Sequence, residues 1–358
     1  MKNIVRISCF SVFIFAVLLS KSVDGQKVQN IKYIDSISLG LSYADTGAYA
    51  KAAAIFERVP PGDTNYTLAL LEDAVAKESL GQDSAAIAIC YKGLRQDTGY
   101  KPDFYNVLAN TFIDEGRDSN AVKLLQDTVL PKCANNHKLY CMLGIAQYKM
   151  NKYSDAINSF EKSIDLDIYD ALSHYYLGRC CMEQGRLIPA LLSLQFYLVI
   201  QPQSGRSYTA VGMIQEMTEN KYQYDKSYAV GFSQYHDSAF AELDLLIRSK
   251  IAINKQYKPT TKINYMFVKQ IQLFCEQLKY VPNTGNYWME KYVPFFVGLQ
   301  QKKYLEPYLY FIISSVNDPK IQNGIIKNRN KLKKFAKWAD GAIIAESSVS
   351  KTTETTKK

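Results

Sequence analysis

Two neighbouring stretches of the chain are built on one pattern: residues 140–167, YCMLGIAQYKMNKYSDAINSFEKSIDLD, and residues 174–202, HYYLGRCCMEQGRLIPALLSLQFYLVIQP. Gly144 and Gly178 lie 34 residues apart, and Ala156 and Ala190 repeat that spacing. A fixed period of this length indicates a repeat protein. The pattern therefore sets the register in which the rest of the chain is interpreted.

The register extends in both directions. Gly212 follows Gly178 by another 34 residues, and similar small and aromatic residues recur towards the N-terminus. The spacing predicts six repeats, starting near residues 33, 67, 102, 137, 171 and 205. Small residues at fixed positions let two antiparallel helices approach closely. A helical pair of this size cannot bury its apolar face alone, so neighbouring pairs are expected to stack.

This pattern resembles the tetratricopeptide repeat family. The family has an aromatic residue, Leu-Gly, a Gly-x-Tyr turn, an alanine, a second aromatic and a closing proline. The matching residues are Tyr140, Leu143, Gly144, Tyr153, Ala156 and Phe160 in one copy, and Leu177, Gly178, Gly185, Ala190 and Pro202 in the next, where His174 replaces the aromatic. The resemblance implies an all-α fold, a right-handed superhelical solenoid of helix hairpins.

The resemblance also implies a binding groove on the concave face, lined by the first helix of each pair. The residues that the register places there are Asn106, Asn110, Tyr148, Lys149, Tyr175, Arg179, Glu183 and Arg206. Aromatic and arginine side chains are enriched at binding hot spots. Chaperone-binding members of the family clamp a C-terminal carboxylate, but Asp103 and Asp114 would repel one here.

The adjacent cysteines Cys180 and Cys181 suggest a metal or redox site at first sight. They follow Gly178 within a predicted first helix, at positions where other copies carry small residues such as Ala146. Because neighbouring residues of a helix point about 100° apart, the two thiols are poorly placed to share a metal. We interpret them as packing residues. A second possibility, a disulfide between Cys133 and Cys141, stays open.

The N-terminus has the features of a secretory signal. Basic residues precede an apolar run from residue 7 to residue 20, which is shorter than a membrane-spanning helix. We expect cleavage between Gly25 and Gln26 and an exported mature chain in a bacterial periplasm or outside the cell. A retained membrane anchor is the alternative.

Charge divides the mature chain into two parts. Residues 26–225 contain 19 basic and 23 acidic residues, a net charge of −4, whereas residues 226–358 contain 21 basic and 10 acidic residues, a net charge of +11. We therefore predict a repeat array over residues 26–218 and a helical C-terminal region over residues 219–341. Residues 342–358 are predicted to be a disordered tail.

The C-terminal region shows helical patterns with weaker repeat character. Helices are predicted over residues 239–249, after the capping candidates Asp237 and Ser238, and over residues 262–278. Residues 288–321 resemble a degenerate repeat, and residues 319–340 form one predicted terminal helix. This basic helix is either a solenoid cap or a contact surface for an acidic partner or an anionic membrane surface.

No catalytic constellation is recognisable. The three histidines, His137, His174 and His236, lack metal-ligand spacing, and no phosphate-binding loop or nucleophile elbow is present. We predict no enzyme activity, cofactor or metal, and no nucleic-acid partner. The leading hypothesis is an envelope scaffold that binds a protein or peptide in the groove. The alternative is carbohydrate binding by exposed aromatic residues of segments 222–240 and 280–311.

Overall fold

The computed structural model describes residues 36–96, 99–223, 227, 237–250, 252, 257–260, 263 and 265–355. Every regular element in these residues is helical. The predicted signal segment lies outside the described residues. The chain forms two compact units, which divide between Leu166 and Asp167. This division falls inside the predicted repeat array rather than near residue 218, where the sequence composition changes.

The first unit consists of helices in consecutive pairs. They are α1 (Ser36–Asp45), α2 (Tyr49–Phe56), α3 (Tyr66–Ser79), α4 (Asp83–Leu94), α5 (Lys101–Asp114), α6 (Asp118–Lys123, continued by a π-helical turn, Leu124–Val129), α7 (His137–Lys149) and α8 (Tyr153–Leu166). Each helix packs on the next, and α1, α3, α5 and α7 also contact one another in order. The first helices of the pairs therefore form one layer, as the repeat pattern predicts.

The second unit begins with the same kind of helix and ends in a less regular region. Its helices are α9 (Ala171–Glu183), α10 (Leu187–Ile200), α11 (Gly205–Thr218), α12 (Ala241–Arg248, preceded by a 3-10 turn, Asp237–Phe240), α13 (Met266–Gln277), α14 (Tyr287–Lys291), α15 (Val293–Gln301), α16 (Leu305–Ile312), α17 (Pro319–Lys327) and α18 (Arg329–Thr355).

The turns between paired helices confirm the period. The turn after the first helix of each pair contains a residue with a positive φ, at Gly47, Gly81, Gly116, Asn151, Gly185 and Asn220. Glycine and asparagine reach this left-handed region at low cost. Three first helices are also capped at the same register position, by the side chains of Asn136, Asp170 and Ser204. Residues close to the two ends of these helices therefore determine where the helices begin and end.

Close approach within a pair depends on a glycine in the first helix. A Cβ atom added at Gly144 would lie 2.6 Å from the ring of Phe160. One added at Gly178 would lie 2.6 Å from Cγ of Leu194 and 3.2 Å from its backbone nitrogen. The partner residue is 16 positions later in both pairs. At Gly212 the same construction meets nothing within 4 Å.

Gly178→Ala should destabilise the protein, and Gly212→Ala should not. At Gly178 the new methyl group meets a branched carbon and backbone, so overpacking should cost about 1–3 kcal/mol. At Gly212 the methyl group has room, and alanine should stabilise the helix by about 0.5–1 kcal/mol. Urea unfolding of the two variants measures this difference. Equal effects at the two sites would contradict the packing role of Gly178.

Helix α10 is the centre of the second unit. All of its residues from Leu187 to Ile200 are buried, and it contacts α9, α11, α12, α14 and α16. A helix that is apolar on all sides needs neighbours on all sides. The C-terminal region supplies them, so it covers the outer side of the fifth repeat.

Polar bonds join distant residues of this unit. Trp288 donates its indole N–H to Ser193 Oγ at 2.9 Å, and Tyr308 donates to Gln195 Oε1 at 2.7 Å. Arg186 forms two bonds to Asp237, at 2.6 and 2.7 Å. Because their partners lie on other helices, these bonds fix how the C-terminal region packs on α10.

Several predictions for the C-terminal region need correction. The predicted helix over residues 319–340 is two helices, because the chain turns at Asn328 between α17 and α18. Helix α18 continues to Thr355, past residue 342, where the sequence analysis places the start of a disordered tail. Burial of Ala339 and Ile343 extends the inward face of this helix beyond residue 341. Asp237 is an ion-pair partner of Arg186 rather than a helix cap.

Candidate functional site

The predicted groove residues of the first unit are mostly engaged within the chain. Asn110 donates to carboxylates of Glu78 and Asp114, and Lys149 donates to the carbonyl of Ile113 at 2.8 Å. The ring of Tyr148 lies 5.5 Å from that of Tyr153. Asn106 is partly buried and has an Oδ1 atom with no hydrogen-bond partner among the described residues.

The surroundings of Asn110 are acidic. Burial raises the pKa of Glu78 to about 7; the hydrogen bond from Asn110 lowers it, and the charges of Asp114 and Asp83 raise it further. Burial also raises the pKa of Glu72, with a further contribution from Asp103. This concentration of carboxyl groups supports the inference that the first unit does not clamp a C-terminal carboxylate.

The second unit contains an open groove of about 440 Å³ between α9 and α11. Predicted residues Arg179 and Glu183 line it. The groove also includes residues that the sequence analysis did not select: Met182, Tyr208, Thr209, Gly212, Met213, Glu216 and Tyr222. We call this set the α9–α11 groove. It combines both signs of charge with methionine and tyrosine side chains.

Among the methionine and tyrosine residues of the α9–α11 groove, Tyr208 is the most exposed to solvent. Its side chain is 64% exposed. It occupies the register position of His174, four residues before the repeat glycine, and His174 is fully buried. The family pattern suggests packing for this position. The departure from that pattern is visible only in the structure.

Two other predicted residues differ in accessibility. Tyr175 is only 5% exposed, because its ring packs at 5.2 Å from Tyr197 and 5.3 Å from Tyr176. It therefore offers little surface to a partner, and it is not among the residues that line the groove. Arg206 is exposed on α11 outside the groove lining. Arg179 lies over the rings of Tyr175 and Tyr176, at 5.7 and 5.4 Å.

The cysteine doublet is part of the core. Cys180 and Cys181 are fully buried, and burial raises the pKa of the Cys180 thiol well above its usual value. Their interpretation as packing residues is confirmed. No disulfide joins Cys133 and Cys141 in the part of the chain that the structure describes.

The aromatic residues of segment 280–311 mostly point inward. Those that are buried are Trp288, Tyr292, Phe295, Phe296, Tyr308, Tyr310 and Phe311. Tyr280, at 43%, is the one aromatic residue of this segment that stands out as exposed. Carbohydrate binding needs a cluster of exposed rings, so this burial disfavours that alternative over segment 280–311. Much of segment 222–240 lies outside the described residues.

The C-terminal helices present basic residues to solvent. Lys331, Lys334 and Lys337 lie on one exposed stripe of α18. Lys331 pairs with Glu306 at 2.7 Å. Ile326, on α17, is 69% exposed beside Lys327. The stripe is therefore both a solvated helix face and a surface that an anionic partner could contact.

The described part of the chain contains neither a metal-binding cluster nor a membrane-spanning helix. Within the described ranges, no group of three or more His, Cys, Asp or Glu side chains is arranged to hold a metal ion. No helix in that part of the chain is both long and apolar enough to cross a bilayer. His174 is buried, and His236 lies outside the described residues.

Comparison with family models agrees with this architecture. Residues 141–203, which span the fourth and fifth helix pairs, match the family model described as tetratricopeptide repeat. The chain carries tetratricopeptide repeats. The match includes α9, whose Arg179 and Glu183 line the α9–α11 groove, and it ends just before α11.

Solved structures of tetratricopeptide repeat proteins resemble part of the chain. MamA from Desulfovibrio magneticus RS-1 is 16% identical, with 46% of this chain and 93% of that chain covered and a TM-score of 0.37. TTC0263 from Thermus thermophilus is 20% identical, with 50% and 97% covered and a TM-score of 0.44. YrrB, described as having an unusual peptide-binding site, is 17% identical, with 48% and 88% covered and a TM-score of 0.34. Among curated proteins, no sequence matches this chain.

Proposed function

We propose that this protein is a non-catalytic interaction scaffold that binds an extended segment of a protein partner in the α9–α11 groove. One observation carries the proposal: the largely exposed Tyr208 stands in a groove that also presents Met182, Met213 and charged side chains. Tyrosine and arginine are enriched at hot spots of protein interfaces, and methionine adapts its shape to varied partners.

The charges of the groove favour a peptide over an anionic ligand. Arg179 supplies a positive charge, while Glu183 and Glu216 supply two negative charges. A bound segment would place an apolar or aromatic side chain against Tyr208 and Met213. It would place basic groups near the two glutamates. Complementary charges of this kind set specificity and orientation more than affinity.

We also propose that the scaffold acts in a bacterial cell envelope after export. The signal-like N-terminus is what supports this part. Cell fractionation with N-terminal sequencing of the mature chain tests it, and a cytoplasmic protein that begins at Met1 would contradict it. The basic stripe of α18 supports an additional contact with an anionic membrane surface, which vesicle sedimentation would test separately.

Groove binding is tested by photocrosslinking in living cells. A benzoylphenylalanine in place of Met213 should capture a specific partner. A matched probe in place of Leu245, which is 69% exposed in the same unit but outside the groove, should not. Identical crosslinked products at both positions would contradict the proposal.

Tyr208→Ala should weaken binding of the captured partner by about 30-fold, because hot-spot truncations typically cost about 2 kcal/mol. Arg179→Ala should also weaken it, and Leu245→Ala should leave it unchanged. Affinity is measured with the purified partner, and circular dichroism verifies that each variant keeps its helical content. Full binding by the Tyr208 variant would move the site away from the groove.

A further inference from the structure

One buried residue of the first unit breaks the repeat pattern. The position before the small residue of each first helix is aliphatic in five copies, Leu39, Leu108, Leu143, Leu177 and Val211, but it is Asp73 in the second. Asp73 is only 5% exposed, and its Oδ1 atom is buried without a hydrogen-bond partner in the part of the chain described. Burying a carboxylate oxygen without a donor is costly.

Asp73 lines a cavity of about 270 Å³ formed by the end of α2, the loop after it, and α3 and α4. Apolar walls come from Val59, Pro60, Pro61, Leu70 and Ile89. A water molecule occupies about 30 Å³ of liquid, so the cavity is several times larger than one water molecule. The cavity therefore has room for a small organic group.

The basic side chains around the cavity, two of which line it, are paired with other groups or exposed to water. Lys77 is bound to Glu57 at 2.6 Å, and the ammonium of Lys92 lies 5.4 Å from the ring centre of Tyr66. Lys92 and Arg58 are exposed, so water screens their charges. Burial raises the pKa of Asp73 to about 6; Glu57 raises it further, whereas Lys77 and Lys92 lower it.

We propose that this cavity binds a primary ammonium group on a short aliphatic chain, with the ammonium paired to the carboxylate of Asp73. An ammonium supplies both the hydrogen-bond donor and the positive charge that the buried carboxylate lacks. The apolar walls accept the methylene chain. A neutral alcohol would bring no positive charge to the buried carboxylate, and a carboxylate ligand would place a second negative charge beside Asp73.

The test is a set of NMR titrations of the full chain with three ligands on one carbon skeleton: butylamine, butan-1-ol and butyrate. Butylamine should produce saturable shifts in amide signals around the cavity. Butan-1-ol should bind at least about tenfold more weakly, and butyrate should not bind. Equal binding of the amine and the alcohol would overturn the proposal, as would the absence of saturable shifts with any amine.

Two substitutions separate charge from packing. Asp73→Asn keeps the shape of the cavity and removes the negative charge, so it should lose the preference for butylamine. Asp73→Leu restores the residue type of the other repeats and should raise the melting temperature of the ligand-free protein while abolishing butylamine binding. Undiminished butylamine binding by the Asp73→Asn variant would overturn the proposal.

The same chemistry could come from a free amine or from a lysine side chain of a partner protein. Titration with an acetylated, amidated lysine distinguishes these sources. The peptide groups of this compound add contacts only if the cavity accepts a lysine side chain that is attached to a polypeptide backbone. Tighter binding than butylamine assigns a partner lysine, and weaker binding assigns a small amine. Absence of saturable shifts with butylamine and with the lysine derivative together would overturn the proposal.

Discussion

Arg186→Met should destabilise the second unit by about 3–5 kcal/mol, because it leaves the carboxylate of Asp237 buried without its partner. The side chains of Arg186 and Asp237 are 2% and 6% exposed, and they form a two-bonded pair. The guanidinium also lies 4.4 Å from the ring centre of Trp288. The substitution therefore removes a charge pair and a cation–π contact together.

Tryptophan fluorescence during urea unfolding measures this loss. The chain has 2 tryptophans, and both, Trp288 and Trp338, belong to the second unit, so the signal reports on that unit. The matched control is the double variant Arg186→Met with Asp237→Leu, which buries no charge and should recover most of the lost stability. If the double variant is as unstable as the single one, the buried charge is not the cause.

Acidification should destabilise the second unit through His174. Burial lowers the pKa of His174 to about 4, and the bond to the carbonyl of Ile168 opposes this shift only in part. That bond, at 2.9 Å, requires a proton on Nε2, so Nδ1 accepts from the hydroxyl of Tyr292 at 2.7 Å. The folded unit therefore holds a neutral imidazole between two partners.

The direction of this pH effect follows from the two pKa values of His174, about 6.5 in the unfolded chain and about 4 in the folded one. At pH values between these two, the unfolded state binds more protons than the folded state. Stability is therefore fully present above about pH 6.5 and is lost as the pH falls towards about 4. The expected loss is about 3–4 kcal/mol, because each pKa unit between the unfolded and the folded value corresponds to about 1.4 kcal/mol.

His174→Gln is the control for the acid effect, since glutamine keeps polar groups at this site and does not titrate. The free energy of unfolding, followed by tryptophan fluorescence, is compared between the two proteins at about pH 7 and about pH 4. Subtracting one free energy from the other cancels the contribution of carboxyl groups that both proteins contain. These include Asp73 and Glu78, whose raised pKa values increase stability as the pH falls. A difference that does not change with pH would contradict the role of His174.

Much of the fold could be predicted because its determinants are local. The glycine or asparagine at each turn, the caps Asn136, Asp170 and Ser204, and the small residues at Gly144 and Gly178 act within one helix pair. A period of 34 or 35 residues exposes all of them. The candidate site was predicted less well, since register alone places Tyr175 and Tyr208 on helices but does not determine their exposure.

The sequence by itself determined the helices, their pairing and the positions of their turns, because these depend on residues that are near one another along the chain. Only the tertiary structure decided how the C-terminal region covers α10, since that packing joins residues as distant as Arg186 and Asp237. Likewise, it decided that Tyr208 is exposed and that Asp73 is buried beside a cavity. These outcomes depend on which surfaces meet, and no local pattern of residues specifies that.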